Sequence, residues 1–216
     1  MWDFNGNSRR AFQILYDKYG FRERGIAFDR FNSVYHKYND ELWELYRQGK
    51  TDKETLRWQR FFLTLQELGM ADMTLARQLD HDYIETSKKM TGLVEGATEL
   101  LDYLKPSYRL FLLTNGFNEV QFAKIRNSGL ESYFEKTITS EMAGVLKPHA
   151  GFWEFALKET GSSPASSVMI GDDPETDIRG AAVAGIGTVL FNPQGISHNV
   201  QPDYEIRKLE DLRRIL

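Results

Sequence analysis

Apolar residues recur with a helical period along the first half of the chain. From Ser8 to Tyr19, Ala11, Phe12, Leu15 and Tyr16 fall on one face, and Gly20 follows as a stop. From Phe28 to Tyr46, Phe31, Val34, Tyr35, Tyr38, Leu42 and Leu45 repeat at the same spacing, and Gly49 ends the run. Thr51-Asp52-Lys53-Glu54 has the spacing of a capping box, in which Thr51 and Glu54 exchange hydrogen bonds at a helix start. The helix it opens runs through Leu56, Phe61 and Leu65 to Leu68. Further helices are expected from Thr74 to Lys88 and from Glu95 to Leu104.

Near residue 107 the pattern changes to short apolar runs alternating with helical segments. Strands are expected over Arg109 to Leu113, Lys136 to Thr139, Ser167 to Ile170, Gly187 to Phe191 and Tyr204 to Ile206. Helices are expected over Asn118 to Ser128, Ala150 to Thr160 and Thr176 to Ala184, with a final one from Leu209. Pro148 is placed near the first turn of the Ala150 helix, where a missing N–H costs least. Strands alternating with helices imply a parallel, doubly wound α/β sheet. The helical first half then reads as a cap on that core. The organisation expected is a connecting remnant over 1–10, a helical cap over 11–91 and a Rossmann-like core over 92–216, joined near Thr91-Gly92-Leu93.

Bulk composition narrows the function classes. The chain has 216 residues, of which 41% are hydrophobic and 27% charged, as in an ordinary globular protein. The net charge of -4 exerts no pull toward nucleic acid or an anionic membrane. No apolar stretch is long enough to span a membrane, and the N-terminus lacks the basic and apolar regions of a signal peptide. With no cysteine there is no disulfide, thiolate or Cys-based zinc chemistry, and a reducing cytoplasm is the expected location. His36, His81, His149 and His198 show no metal-ligand spacing.

Ligands of open α/β sheets lie at the carboxyl ends of the strands, and candidate groups fall there. Val168-Met169-Ile170-Gly171 delivers Asp172, with Asp173 and Asp177 after it. Crowded carboxylates suit a hard cation such as magnesium; equally, Asp173 could cap a helix with an acid in its first turn. Thr114-Asn115-Gly116 comes after another strand, and its hydroxyl and turn N–H groups could hold a phosphate oxygen or form an ordinary turn. Lys147 precedes a helix and could neutralise a phosphate or hold a carboxylate. The stripe Phe31, Tyr35, Tyr38, Trp43 and Tyr46 reads as cap core before a base-stacking wall, although one of them could contribute to such a wall; Arg57 and Arg60 read as surface partners of Glu54 and Glu67 before residues facing a cleft.

The order of these groups, a hydroxyl after one strand, then Lys147, then an acidic Gly-Asp loop, resembles the haloacid dehalogenase-like superfamily over residues 92–192. Gly49 to Leu56 together with Thr114-Asn115-Gly116-Phe117 is similar to its pyrimidine 5'-nucleotidase branch. The resemblance implies a magnesium-dependent phosphomonoester hydrolase, a nucleoside 5'-monophosphatase in the first instance, acting on a small phosphorylated metabolite such as a pyrimidine nucleoside monophosphate. It makes Asp172 a magnesium ligand, Asp177 an acid held behind the metal, and Asp173 the weakest of the three. Thr114, Asn115 and Gly116 would bind the phosphate, and Lys147 would stabilise it. A haloacid dehalogenase or phosphoglucomutase-like member, or a truncated, inactive one, is the alternative. The acid pair favours phosphate ester over carbon–halogen chemistry. No oligomeric state is implied.

In the family an Asp-x-Asp-x-Thr motif on a first strand supplies the nucleophile and the acid/base of an aspartyl-phosphate mechanism. It occurs nowhere in the 216 residues, and Trp2-Asp3-Phe4 resembles the family's segment just after that motif. An earlier natural start, and negligible turnover by the chain as it stands, are therefore expected. The absent strand would lie mid-sheet, between the strands ending at Thr114 and Asp172. Asp3 is expected to cap the first helix.

Overall fold

The computed structural model describes residues 1–216 as two compact units, Asp3–Gly92 and Met1–Trp2 with Leu93–Leu216. The first is helical: α1 (Phe4–Lys18), α2 (Phe28–Arg47), α3 (Lys53–Glu67) and α4 (Met73–Ser87). Asp3 caps α1, its Oδ1 accepting from the Gly6 N–H at 2.9 Å. The helix therefore starts four residues before Ser8, and residues 4–10 are its first turns. Asn5, Gly6 and Asn7 are weak helix formers, which hides this start from periodicity. Asn7 is buried because its amide bonds both main-chain groups of Gly92, Nδ2 to O at 2.7 Å and N to Oδ1 at 3.0 Å.

The start of α3 also differs from the expected capping box. Asp52, not Thr51, is the cap; it accepts from the Thr55 N–H at 2.7 Å, and the Thr55 hydroxyl returns to its second oxygen. An Asp one residue nearer the helix is an equally good cap, so the register shifts by one. Glu54 is left facing Arg77. Arg57 and Arg60 share an acid on another helix. Both converge on Asp80 of α4, at 3.1 and 3.5 Å, and Arg60 and Asp80 are buried. Glu67 instead takes Lys37.

The core of this unit is aromatic. Phe12 is fully buried and stacks on Tyr83 with ring centroids 4.6 Å apart, with Tyr35, Phe31 and Phe61 around it. Phe31 and Tyr35 belong to this core as expected, while Tyr38, Trp43 and Tyr46 are only half-buried.

The second unit alternates: α5 (Ala97–Leu104), β1 (Phe111–Thr114), α6 (Asn118–Asn127), β2 (Lys136–Thr139), α7 (Ser140–Ala143), α8 (Ala150–Thr160), β3 (Val168–Gly171), a π-helical turn (Pro174–Arg179) running into α9 (Gly180–Val183), β4 (Gly187–Phe191) and β5 (Tyr204–Ile206). The chain closes on a 3₁₀ segment, Leu209–Arg214, where an α-helix is expected. All strand pairs are parallel, giving the mixed α/β architecture expected. They form two ladders, β1-β2 and β3-β4-β5, with no backbone pairing between β1 and β3. The interruption lies between β1 and β3.

Burial tracks the interruption. Val189 and Leu190 of β4 are fully buried, but all four residues of β1 are only half-buried and Val168 of β3 is exposed. Parallel strands covered on both faces and both edges would be buried throughout. Side chains still span the gap: Leu113 and Met169 pack on one cluster around Ile138, Phe152 and Trp153, and Leu110 and Ile170 on another around Leu100 and Leu209.

Truncation of the helical unit's central ring, Phe12→Ala, is expected to cost about 3–5 kcal/mol. Urea denaturation followed by circular dichroism measures it; a loss below about 1 kcal/mol would mean that the site repacks or that Phe12 is not the centre of this core.

Candidate functional site

The carboxyl ends of β1 and β3 deliver the candidate groups. Thr114 is the last residue of β1, and its Oγ1 accepts from the Gly116 N–H at 3.0 Å in the adjoining turn. The hydroxyl proton is not used in that bond, so Thr114 retains a donor. Gly171 ends β3 and hands the chain to Asp172 and Asp173. The N–H groups of Asp177 and Ile178 both bond the Asp173 carbonyl, at 3.0 and 3.3 Å, and this makes the turn π-helical rather than α-helical. Such bulges gather at functional sites. Here the turn buries Asp177 against Gly171, where any Cβ would collide with the Asp177 side chain.

Lys147 and Asp177 form the centre. The Lys147 ammonium lies 2.5 Å from Asp177 Oδ1 and donates to the Leu113 carbonyl of β1 at 3.2 Å. Their side chains are only 6% and 8% exposed, so the pair is buried and water barely screens it. Two of the ammonium's N–H groups are engaged in this way, which leaves one. Burial pushes the Asp177 carboxyl up from its ordinary range, Lys147 pulls it down, and the nearby Asp172 and Asp173 push it up again; burial wins.

The three acids of the loop have different surroundings. Asp173 Oδ1 caps the π turn, accepting from the Glu175 and Thr176 N–H groups at 2.9 and 2.8 Å. Asp177 is committed to Lys147. Asp172 is exposed at the mouth of the loop, and its carboxylate accepts no hydrogen bond from the protein. Asn115 lies beside Thr114, but its side chain turns to the Lys147 main chain, Nδ2 to O at 3.0 Å and N to Oδ1 at 2.8 Å. Both ends of the Asn115 amide thus hold Lys147, and one Nδ2 N–H is left over for the phosphate contact expected of it. Pro148 precedes the helix cap, His149, instead of sitting in the first turn of α8.

Three partners carry little or no signal in the sequence. The Leu113 carbonyl holds Lys147, and main-chain atoms leave no trace in residue type. Glu141 accepts from the Asn118 N–H at 2.9 Å and so satisfies the start of α6. Thr139 donates to Asn118 Oδ1 and caps α7 through the Met142 N–H. Ser or Thr immediately before a helix is a recognisable cap signal, and Thr139 could have been found by it.

The family model of the haloacid dehalogenase-like hydrolases matches residues 4–185. The chain belongs to this family. Over 220 residues it is 33% identical to the HAD-hydrolase YfnB of Bacillus subtilis, covering 99% of this chain and 90% of that one. It is 29% identical to the pyrimidine 5'-nucleotidase YjjG of Escherichia coli, covering 99% and 92% of the two chains. Human N-acylneuraminate-9-phosphatase is 30% identical, covering 99% and 88%. The crystal structure of YfnB bound to magnesium superposes with a TM-score of 0.88 at 28% identity, over 99% of this chain and 92% of that one. No helix of this HAD hydrolase is long and apolar enough to cross a membrane.

Whether these residues suit magnesium can be judged from their donors. No three His, Asp or Glu side chains converge into a cage. Magnesium, however, keeps several waters and is commonly held by one or two carboxylates together with a substrate's phosphate. Asp172 offers one such carboxylate, free of protein partners. The donor set fits an ion shared with a bound phosphate, not one caged by protein alone.

The raised Asp177 pKa sets the sign of a pH effect. The folded protein binds that proton more tightly than the unfolded chain, so the group contributes stability in acid that is lost as pH rises through its folded value. Lys147→Met removes the opposing pull and extends this loss to higher pH. The variant is expected to be less stable than the parent by about 3–5 kcal/mol at about pH 8, with a clearly smaller difference at about pH 5, measured by urea midpoints. An equal difference at both values would show that Asp177 is not the group Lys147 neutralises.

Proposed function

We infer that this HAD hydrolase is a magnesium-dependent phosphomonoesterase of a small phosphorylated metabolite, with nucleoside 5'-monophosphates as its first substrate class. One observation carries the reading. The groups that end β1 and β3 leave a Thr114 O–H, one Lys147 N–H and the Asp172 carboxylate uncommitted around a buried ion pair. A hydroxyl and an ammonium are donors for phosphoryl oxygens. A carboxylate beside them serves only if a cation stands between it and the phosphate.

In this reading Lys147 neutralises charge on the phosphoryl group while Asp177 and the Leu113 carbonyl keep its ammonium in place. Thr114 donates to a phosphoryl oxygen. Asp172 would hold magnesium, which when bound polarises the phosphoryl oxygens and offsets their charge. Asp173 shapes the loop through its cap. The nucleophilic carboxylate is expected on an Asp-x-Asp-x-Thr strand, which the 216 residues do not contain. The unpaired edges of β1 and β3 are where such a strand would pair. The similarity to a pyrimidine 5'-nucleotidase supports a nucleotide substrate; the similarity to an N-acylneuraminate-9-phosphatase makes a sugar phosphate the comparison arm.

Phosphate release is measured on uridine and thymidine monophosphates and on an acylated sugar phosphate. The chain as it stands is compared with one extended at its N-terminus by an apolar strand carrying Asp-x-Asp-x-Thr, each with magnesium and with chelator. Release only from the extended chain, only with magnesium, and fastest on the nucleotides is expected. Release that survives chelation would remove the metal from the reading. A normal rate from the unextended chain would mean that the nucleophile is already among its residues.

A further inference from the structure

We propose that Asn115 is the positioning residue of Lys147: it fixes the lysine's backbone so that the ammonium reaches between the two ladders. This rests on the phosphatase reading only for its consequence, phosphate binding; the positioning itself stands on geometry. The amide of Asn115 donates to the Lys147 carbonyl at 3.0 Å and accepts from the Lys147 N–H at 2.8 Å, across 32 residues of sequence. The next residue, Pro148, has no N–H to offer. A buried lysine whose main chain is held at both groups has few ways to move, and its side chain then spans from Leu113 O to Asp177 Oδ1.

Asn115 is itself held. The Ser140 hydroxyl donates to its carbonyl at 3.2 Å, and Ser140 opens α7 directly after β2. Thr139, Asn118 and Glu141 tie the same helix to the start of α6. The turn after β1 is thereby fastened on one side to β2 and on the other to Lys147. The same two-bond grip appears twice more in the chain. Asn7 holds the main chain of Gly92, and Asn192 holds that of Ile196, with both bonds at 2.9 Å. In all three an asparagine carboxamide takes the place of a ladder partner for one residue.

Two consequences separate this role from contact with a ligand. Asn115 should control how accessible and how mobile the Lys147 ammonium is even when no phosphate is present. Its effect on phosphate should then come through Lys147 alone.

The test is reductive methylation of the intact chain, with mass spectrometry of the peptide bearing Lys147 and with Lys136, which is partly exposed and paired to Glu159, as the internal reference. In the parent, Lys147 is expected to react at least about tenfold more slowly than Lys136, and in Asn115→Ala that protection should fall by about tenfold while Lys136 is unchanged, the scale of losing one or two buried hydrogen bonds. Should Asn115→Ala lose its circular dichroism signal, Asn115→Asp, which keeps the acceptor for the Lys147 N–H and loses the donor, takes its place with the same expected direction. Unchanged Lys147 protection in a folded variant would overturn the proposal. Inorganic phosphate is added in a second arm. Further protection of Lys147 by phosphate in the parent, weakened in the variant, is expected. If phosphate protects nothing in the parent while the variant still exposes Lys147, the phosphatase reading fails and the positioning role stands.

Discussion

The buried ion pair between Lys147 and Asp177 is the interaction on which the second unit's architecture turns. Its two parallel ladders share no backbone hydrogen bond, so only side chains can register one against the other. Apolar contacts do part of this, with Leu113 and Met169 on one face and Leu110 and Ile170 on the other. Hydrophobic contact is non-directional and tolerates sliding. The Lys147 ammonium, bonded to the end of β1 and to the turn after β3, is directional and nearly dry. Taking both charges out of water is costly, and such a pair seldom adds net stability over an apolar replacement. Its value here is geometric: the ammonium that fixes the ladder ends still has one N–H unused.

Around this pair the structure separates three carboxylates by the company each keeps. Asp177 faces an ammonium, Asp173 faces two main-chain N–H groups, and Asp172 faces solvent. A run of acids in sequence is thereby divided into one partner for a lysine, one helix cap and one exposed carboxylate. Of the two readings of the acidic loop left open on sequence alone, capping applies to Asp173, and the proposed metal chemistry is left to Asp172.

Much of this is legible in the sequence because it is local. The apolar period marks the helices, and alternating short runs mark the parallel strands. The order Thr114, Lys147, Asp172 marks the family and the candidate site. The features hidden from sequence depend on contacts distant along the chain or on main-chain atoms. Asn115 has the look of part of a ligand-binding turn, yet its partner lies 32 residues away. Arg57 and Arg60 have the look of surface residues, yet their acid is Asp80 on the next helix. Asp52 displaces Thr51 as a cap because two adjacent good caps cannot be ranked by type alone. The first turns of α1 are hidden because tertiary bonds, such as those of Asn7 with Gly92, outweigh the poor propensity of Asn-Gly-Asn.

The most direct measurement is a double-mutant cycle across the central pair, with Lys147→Met, Asp177→Leu and the combination unfolded in urea at neutral pH. If the pair registers the two ladders, each single change leaves a buried charge alone and the double change removes both. The losses should then be far from additive, with a coupling of about 2–3 kcal/mol. Additive losses, within about 0.5 kcal/mol, would show that the two residues act separately and that the ladders are held together by their apolar contacts.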